Sequence, residues 1–86
     1  MRIAWTARFK KAWDDLTEDE KDVARKAIGN LAADIGYPGL KAKKIKGAED
    51  IWEARVSYSL GMTFQITGDT IILRNIGRHN ETLKQA

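Results

Sequence analysis

Apolar and polar residues change period twice along this chain. At the N-terminus Arg2-Ile-Ala-Trp-Thr6 alternates, which predicts a short strand with Ile3 and Trp5 on one face. Phe9, Trp13 and Leu16 then recur at i, i+4 and i+7 with Ala12 beside them, predicting a helix over residues 7–15 with Thr6 as its N-cap. Thr17-Glu-Asp-Glu20 has the form of a capping box and opens a second helix. Its apolar stripe is Ala24, Ile28, Leu31 and Ile35; Gly36 stops it and Pro38 prevents resumption. From residue 51 the period returns to two. The runs Ile51–Ser57, Leu60–Ile66 and Thr70–Ile76 read as three strands, the last two joined by a Gly68-Asp69 turn.

Strand phase follows from loop length. A two-residue turn at Gly68-Asp69 pairs Ile66 with Ile71 and Phe64 with Leu73. Met62, Phe64, Ile66, Ile71 and Leu73 then share the face that meets the helices, while Thr63, Gln65, Ile72 and Arg74 share the other. A two-residue turn at Tyr58-Ser59 would set Arg55 opposite Met62, against the core. The three-residue loop Ser57–Ser59 instead pairs Val56 with Leu60 and Arg55 with Gly61. A slip of one residue moves every side chain to the opposite face, so the odd loop is expected. The fold class is α+β: an N-terminal strand and an α-helical hairpin packed on one face of an antiparallel sheet with a C-terminal three-stranded meander. Residues 1–86 are read as one small domain.

The absence of cysteine removes disulfides and thiolate metal sites. No apolar run approaches the ~20 residues of a membrane span, and the N-terminus lacks the apolar core of a signal peptide, so a cytoplasmic protein without a membrane partner is expected. The net charge of +3 is modest, but its distribution is not. Residues 14–22 hold six acids and one lysine, whereas residues 40–47 hold Lys41, Lys43, Lys44 and Lys46 and no acid. The basic segment is either an edge that meets phosphate or a solvated lysine loop.

Glu53 and Arg55, two apart on a strand, point the same way, and Arg74 is expected to join them from two strands away. Two guanidinium groups, a carboxylate and flanking lysines suit a phosphodiester. The arginines would stabilise phosphorane charge, the carboxylate would take a 2′-hydroxyl proton, and His79 would protonate the leaving oxygen. RNA fits because it carries its own nucleophile. The same residues also fit plain cross-strand ion pairing. His79 stands alone as the single histidine, which by itself reads as a surface residue, and no metal or other cofactor is expected. Trp5, Trp13 and Trp52 are assigned to the core. Tyr37 and Tyr58 fall in loops beside basic segments, where they either stack on bases or pack locally.

The order strand, helical hairpin, meander and short tail resembles the RelE/ParE superfamily of bacterial toxins. The words that carry the resemblance are Phe9-Lys-Lys-Ala-Trp13, Leu40-Lys-Ala-Lys-Lys-Ile-Lys-Gly47, Ile51-Trp-Glu-Ala-Arg-Val56, Met62-Thr-Phe64 and Gly77-Arg-His79. The resemblance implies the toxin half of a type II toxin–antitoxin pair, with a cognate antitoxin as partner. In the RelE-like branch it implies an mRNA interferase, a metal-independent endoribonuclease that inhibits translation on the ribosome; in the ParE-like branch, a protein that binds DNA gyrase. Matched residue by residue, Glu53 and Arg55 occupy strand positions where nuclease members place basic or catalytic side chains. Lys43, Lys44 and Lys46 match the basic segment before that strand, and His79 matches a His or Arg near the C-terminus. Two positions depart from the pattern. Gly61 stands where members commonly carry Arg, and Leu83 lies near where several nuclease members have Tyr. These departures are read as a natural weakening of the nuclease, a branch with other chemistry, a substitution at position 61 that makes the toxin tolerable to its host, or a protein kept for antitoxin binding.

Overall fold

In a computed structural model of the chain, which describes residues 1–47 and 50–78, the N-terminal strand β1 (Arg2–Trp5) leads into helix α1 (Ala7–Asp14) and helix α2 (Glu18–Ala33). A 3₁₀ turn at Pro38–Leu40 follows, then strands β2 (Lys43–Lys44), β3 (Trp52–Arg55), β4 (Leu60–Thr67) and β5 (Thr70–Arg78). The sheet order is β1-β5-β4-β3-β2. The meander strands are antiparallel to one another, and β1 joins parallel to β5, with Ile3 opposite Ile71 and Trp5 opposite Leu73. The sheet is therefore mixed: the helices lead the chain to the far edge at β2, and the meander brings it back so that β5 lies parallel to β1.

Both helices start as their sequences predict. Thr6 is extended and its Oγ1 accepts from the Phe9 amide at 3.1 Å. The same hydroxyl donates to the Leu73 carbonyl at 2.8 Å, so one side chain caps α1 and clips it to β5. The capping box of α2 is complete: the Glu20 amide donates to Thr17 Oγ1 at 3.1 Å, and the Thr17 amide donates to Glu20 Oε1 at 2.8 Å. Caps of this kind contribute about 1 kcal/mol each. α2 ends at Ala33, before the predicted Gly36 stop, and Asp34 Oδ1 accepts from the Gly36 amide at 2.9 Å to close the turn. Gly29 lies on the exposed side of α2, and a methyl group there would meet no atom within 4 Å. No close packing requires the glycine.

The expected pairings Ile66–Ile71, Phe64–Leu73 and Arg55–Gly61 are all present. The Val56 and Ser57 amides both donate to the Leu60 carbonyl, at 2.9 and 3.1 Å, which closes the three-residue loop. Gly68 takes a φ of +61°, the left-handed conformation that a tight hairpin needs at its first loop position. Phe9, Leu31, Met62, Phe64, Ile71 and Leu73 are fully buried between helices and sheet. Each such side chain is worth about 1.5–3 kcal/mol of burial. Trp52 stacks on Phe64 with centroids 6.1 Å apart, at the margin of this layer. Trp5 meets Phe9 and Trp13 edge-on at 4.8 and 5.1 Å, yet remains 37% exposed because β1 is an edge strand. It is a rim residue rather than a core one.

Two features depart from simple alternation. Thr63 pairs with Asn75 and Phe64 with Leu73, so Arg74 is the extra residue of a bulge in β5. Beyond it the phase flips: Ile76 turns into the core, and Asn75 takes the place opposite Thr63 that strict alternation gives to Arg74. The second departure is β2. Lys43 and Lys44 form a strand that pairs with Glu53 and Trp52 respectively, rather than a free loop.

Candidate functional site

The edge strand sorts the lysine cluster. Successive strand residues point to opposite faces. Lys43, opposite Glu53, joins the polar face, and its Nζ lies 3.4 Å from Glu53 Oε1. Lys44, opposite Trp52, lies on the helix side, with its ammonium 5.8 Å from the Trp52 ring centroid. Lys46 is exposed in the following turn. Lys41 comes back to the polar face by another route. It caps the 3₁₀ turn in a left-handed conformation, φ +48°, and its amide donates to the Pro38 carbonyl at 3.3 Å.

Lys41, Lys43, Glu53 and Arg55, with Ala54 between the last two, line one cleft of about 140 Å³. Four of the residues expected to carry chemistry thus converge at the β2–β3 edge. Arg55 is exposed, and its strand neighbour across the ladder is Gly61, which in turn faces Gly77. Two facing glycines mean that the sheet beside Arg55 presents backbone and no side chain. Among the described residues the only glycines with positive φ are Gly47 and Gly68, so nothing in its φ demands glycine at position 61.

Glu53 occupies an uneven environment. Its side chain is 12% exposed while that of Lys43 is 72% exposed. The pair therefore joins a nearly buried carboxylate to a solvated ammonium. Oε2, the other carboxylate oxygen, is buried without a hydrogen-bond partner, as is the hydroxyl of Thr63 on the adjacent strand. Thr63 was placed on this face by its phase alone, with nothing in the sequence to give it a role.

Arg74 is directed elsewhere. The bulge gives the ladder position beyond Thr63 to Asn75, and Arg74 Nη1 donates to Gln65 Oε1 at 2.7 Å. Arg74 also lines a separate depression with Thr6 and Arg8. It does not line the cleft that holds Arg55. His79 and Leu83 lie outside the described residues. Tyr58, at the tip of the β3–β4 loop, is 97% exposed, so its ring has no local packing. Among the described residues no three His, Cys, Asp or Glu side chains gather as a metal site, and no helix is long and apolar enough to cross a membrane.

No protein-family model and no curated protein matches the sequence. Solved structures do match its fold. A metal-bound toxin from Helicobacter pylori superimposes with a TM-score of 0.76 at 26% identity, covering 94% of this chain and 97% of that one. The toxin of a RelB-RelE antitoxin-toxin complex from Methanococcus jannaschii aligns at 0.76 and 19% identity, over 95% of this chain and 96% of that one. A YoeB/ParE toxin from Agrobacterium tumefaciens aligns at 0.77 and 15% identity, over 92% and 99%. The architecture of this chain is the RelE/ParE-like toxin fold.

Proposed function

We propose that this protein is the toxin of a toxin–antitoxin pair and acts on RNA in the manner of a RelE-like interferase. The observation that carries the reading is the convergence of Lys41, Lys43, Glu53 and Arg55 on one cleft within this fold. Arg55 and Lys41 bind the phosphodiester and stabilise the charge that builds on its oxygens. Glu53 accepts the proton of the ribose 2′-hydroxyl, whose oxygen attacks phosphorus. The bond to the 5′-oxygen breaks, leaving a cyclic phosphate, and His79 supplies the proton to the departing oxygen. Arg74, set apart on the bulge, binds flanking backbone phosphate rather than the reacting one. The Methanococcus jannaschii structure holds an antitoxin with its toxin, and a cognate antitoxin is the partner inferred for this chain too. Translated mRNA on the ribosome is the inferred substrate, in the cytoplasm.

A second reading has its own support. The Gly61–Gly77 pair leaves Arg55 without a neighbouring guanidinium on its ladder, which suits a non-catalytic toxin that binds its target, DNA gyrase in a ParE-like branch, or only its antitoxin. Induced expression of the parent and of Gly61→Arg, with growth and mRNA 5′-end mapping in parallel, separates the two. Cleavage within translated messages by either protein, lost in Arg55→Ala, supports the interferase. Growth arrest with a DNA-damage response and intact messages overturns it in favour of gyrase.

A further inference from the structure

Two directly opposed residues of β3 and β4 each bury a polar atom that has no hydrogen bond within the protein. Glu53 and Thr63 are directly opposed across the β3–β4 ladder and share a face. Thr63 is fully buried, and neither its Oγ1 nor Glu53 Oε2 makes a hydrogen bond, even to the other. Buried polar atoms are nearly always satisfied, so an exception calls for an explanation, a catalytic or binding role among them. Core packing does not explain a threonine here, since valine has the same shape and no hydroxyl to orphan.

The chemistry of the two atoms narrows what that partner is. An ionised carboxylate oxygen only accepts, whereas a threonine hydroxyl both donates and accepts. A ligand hydroxyl satisfies both at once, donating to Glu53 Oε2 and accepting from Thr63 Oγ1. Glu53 lines the cleft together with Lys41, Lys43 and Arg55, so a hydroxyl held on Glu53 sits next to phosphate bound there, with Thr63 directly behind it on β4. A hydroxyl beside a phosphodiester is the 2′-hydroxyl of a ribonucleotide. We propose that Thr63, with Glu53, forms a subsite that reads the ribose 2′-hydroxyl, making Thr63 a specificity residue for RNA over DNA. This rests on the RNA reading above. The exposed Lys43 ammonium, 3.4 Å from Glu53 Oε1, turns to an incoming phosphate and frees the Glu53 side chain to open the pair. A site built to hydrogen-bond a hydroxyl discriminates strongly against an analogue that lacks it.

The test is binding of one short oligoribonucleotide and its 2′-deoxy counterpart to the full chain and to Thr63→Val and Thr63→Ser, followed by fluorescence anisotropy, with thermal unfolding of each protein. The parent is expected to prefer the ribo form by about tenfold or more, from one or two hydrogen bonds. Thr63→Val should lose about three- to tenfold of that preference with its deoxy affinity unchanged and its melting temperature equal or higher. Thr63→Ser should keep the preference. If Thr63→Val does not fold, Thr63→Ala carries the same expectation for the ribo preference, with a lower melting temperature from the lost methyl group. Undiminished preference in the variant overturns the proposal and leaves the RNA reading standing. Equal weakening of both oligonucleotides also overturns it, and points to a base amino group at the subsite. A parent that binds neither form, or both equally, overturns the proposal, while message cleavage in the induction experiment above decides the RNA reading separately.

Discussion

The two faces of the sheet are built to opposite rules. On the helix side, Phe64, Leu73, Ile71 and Met62 are wholly buried and meet Phe9 and Leu31 in a continuous apolar layer. On the other side, the cross-strand row Lys43, Glu53, Thr63, Asn75 is polar throughout, and two of its atoms are buried and unsatisfied. The first face contributes stability by removing apolar area from water. The second contributes less, because a buried carboxylate oxygen or hydroxyl without a protein hydrogen bond is costly compared with an apolar group of the same shape.

That contrast can be broken from either side. The largest effect is expected from Phe64→Ala, which removes a fully buried ring stacked on Trp52 and should cost about 3–5 kcal/mol in denaturant unfolding. A loss below 1 kcal/mol would show that the helix-side layer is not the core. Arg55→Ala should do the reverse. It should lower RNA cleavage about 100- to 1000-fold, while the unfolding midpoint moves by no more than about 0.5 kcal/mol, since the side chain is exposed.

Tyr58→Ala sharpens the comparison at the loop. A ring that is 97% exposed packs on nothing. The variant should keep its stability and weaken single-stranded RNA binding by about 1–3 kcal/mol if the ring stacks on a base; unchanged affinity in a filter-binding titration would leave the ring without a role. Thr6→Ala loses a helix cap and the 2.8 Å bond to Leu73 together. It should cost about 1–2 kcal/mol in thermal unfolding. Gly29→Ala, on the exposed side of α2 with space for the methyl group, should stabilise by about 0.5–1 kcal/mol and leave RNA cleavage untouched.

Much of this arrangement is legible along the chain because it depends on local rules. Thr6 and Thr17 announce their helices by cap chemistry. Gly68-Asp69 and the odd Ser57–Ser59 loop set the strand registers, and with them the faces of Glu53, Arg55 and Thr63. The bulge also left a trace. Arg74 and Asn75 are adjacent polar residues between buried Leu73 and Ile76, a break in period two that a bulge resolves. The short strand β2 left almost none, because Lys43-Lys44 has no alternation to show and pairs only because the β3 edge is available to it.

Helix starts, hairpin phase and the polar character of one face follow from the sequence by itself, since capping, turn geometry and side-chain alternation act over a few residues. Which of the basic residues share a site was decided by tertiary structure. The β2 pairing sends Lys43 and Lys44 to opposite faces, the bulge turns Arg74 toward Gln65, and the left-handed turn brings Lys41 back beside Arg55. The orphaned pair at Glu53 and Thr63 is likewise a product of folding, because a hydrogen bond left unmade exists only once both atoms have been buried together.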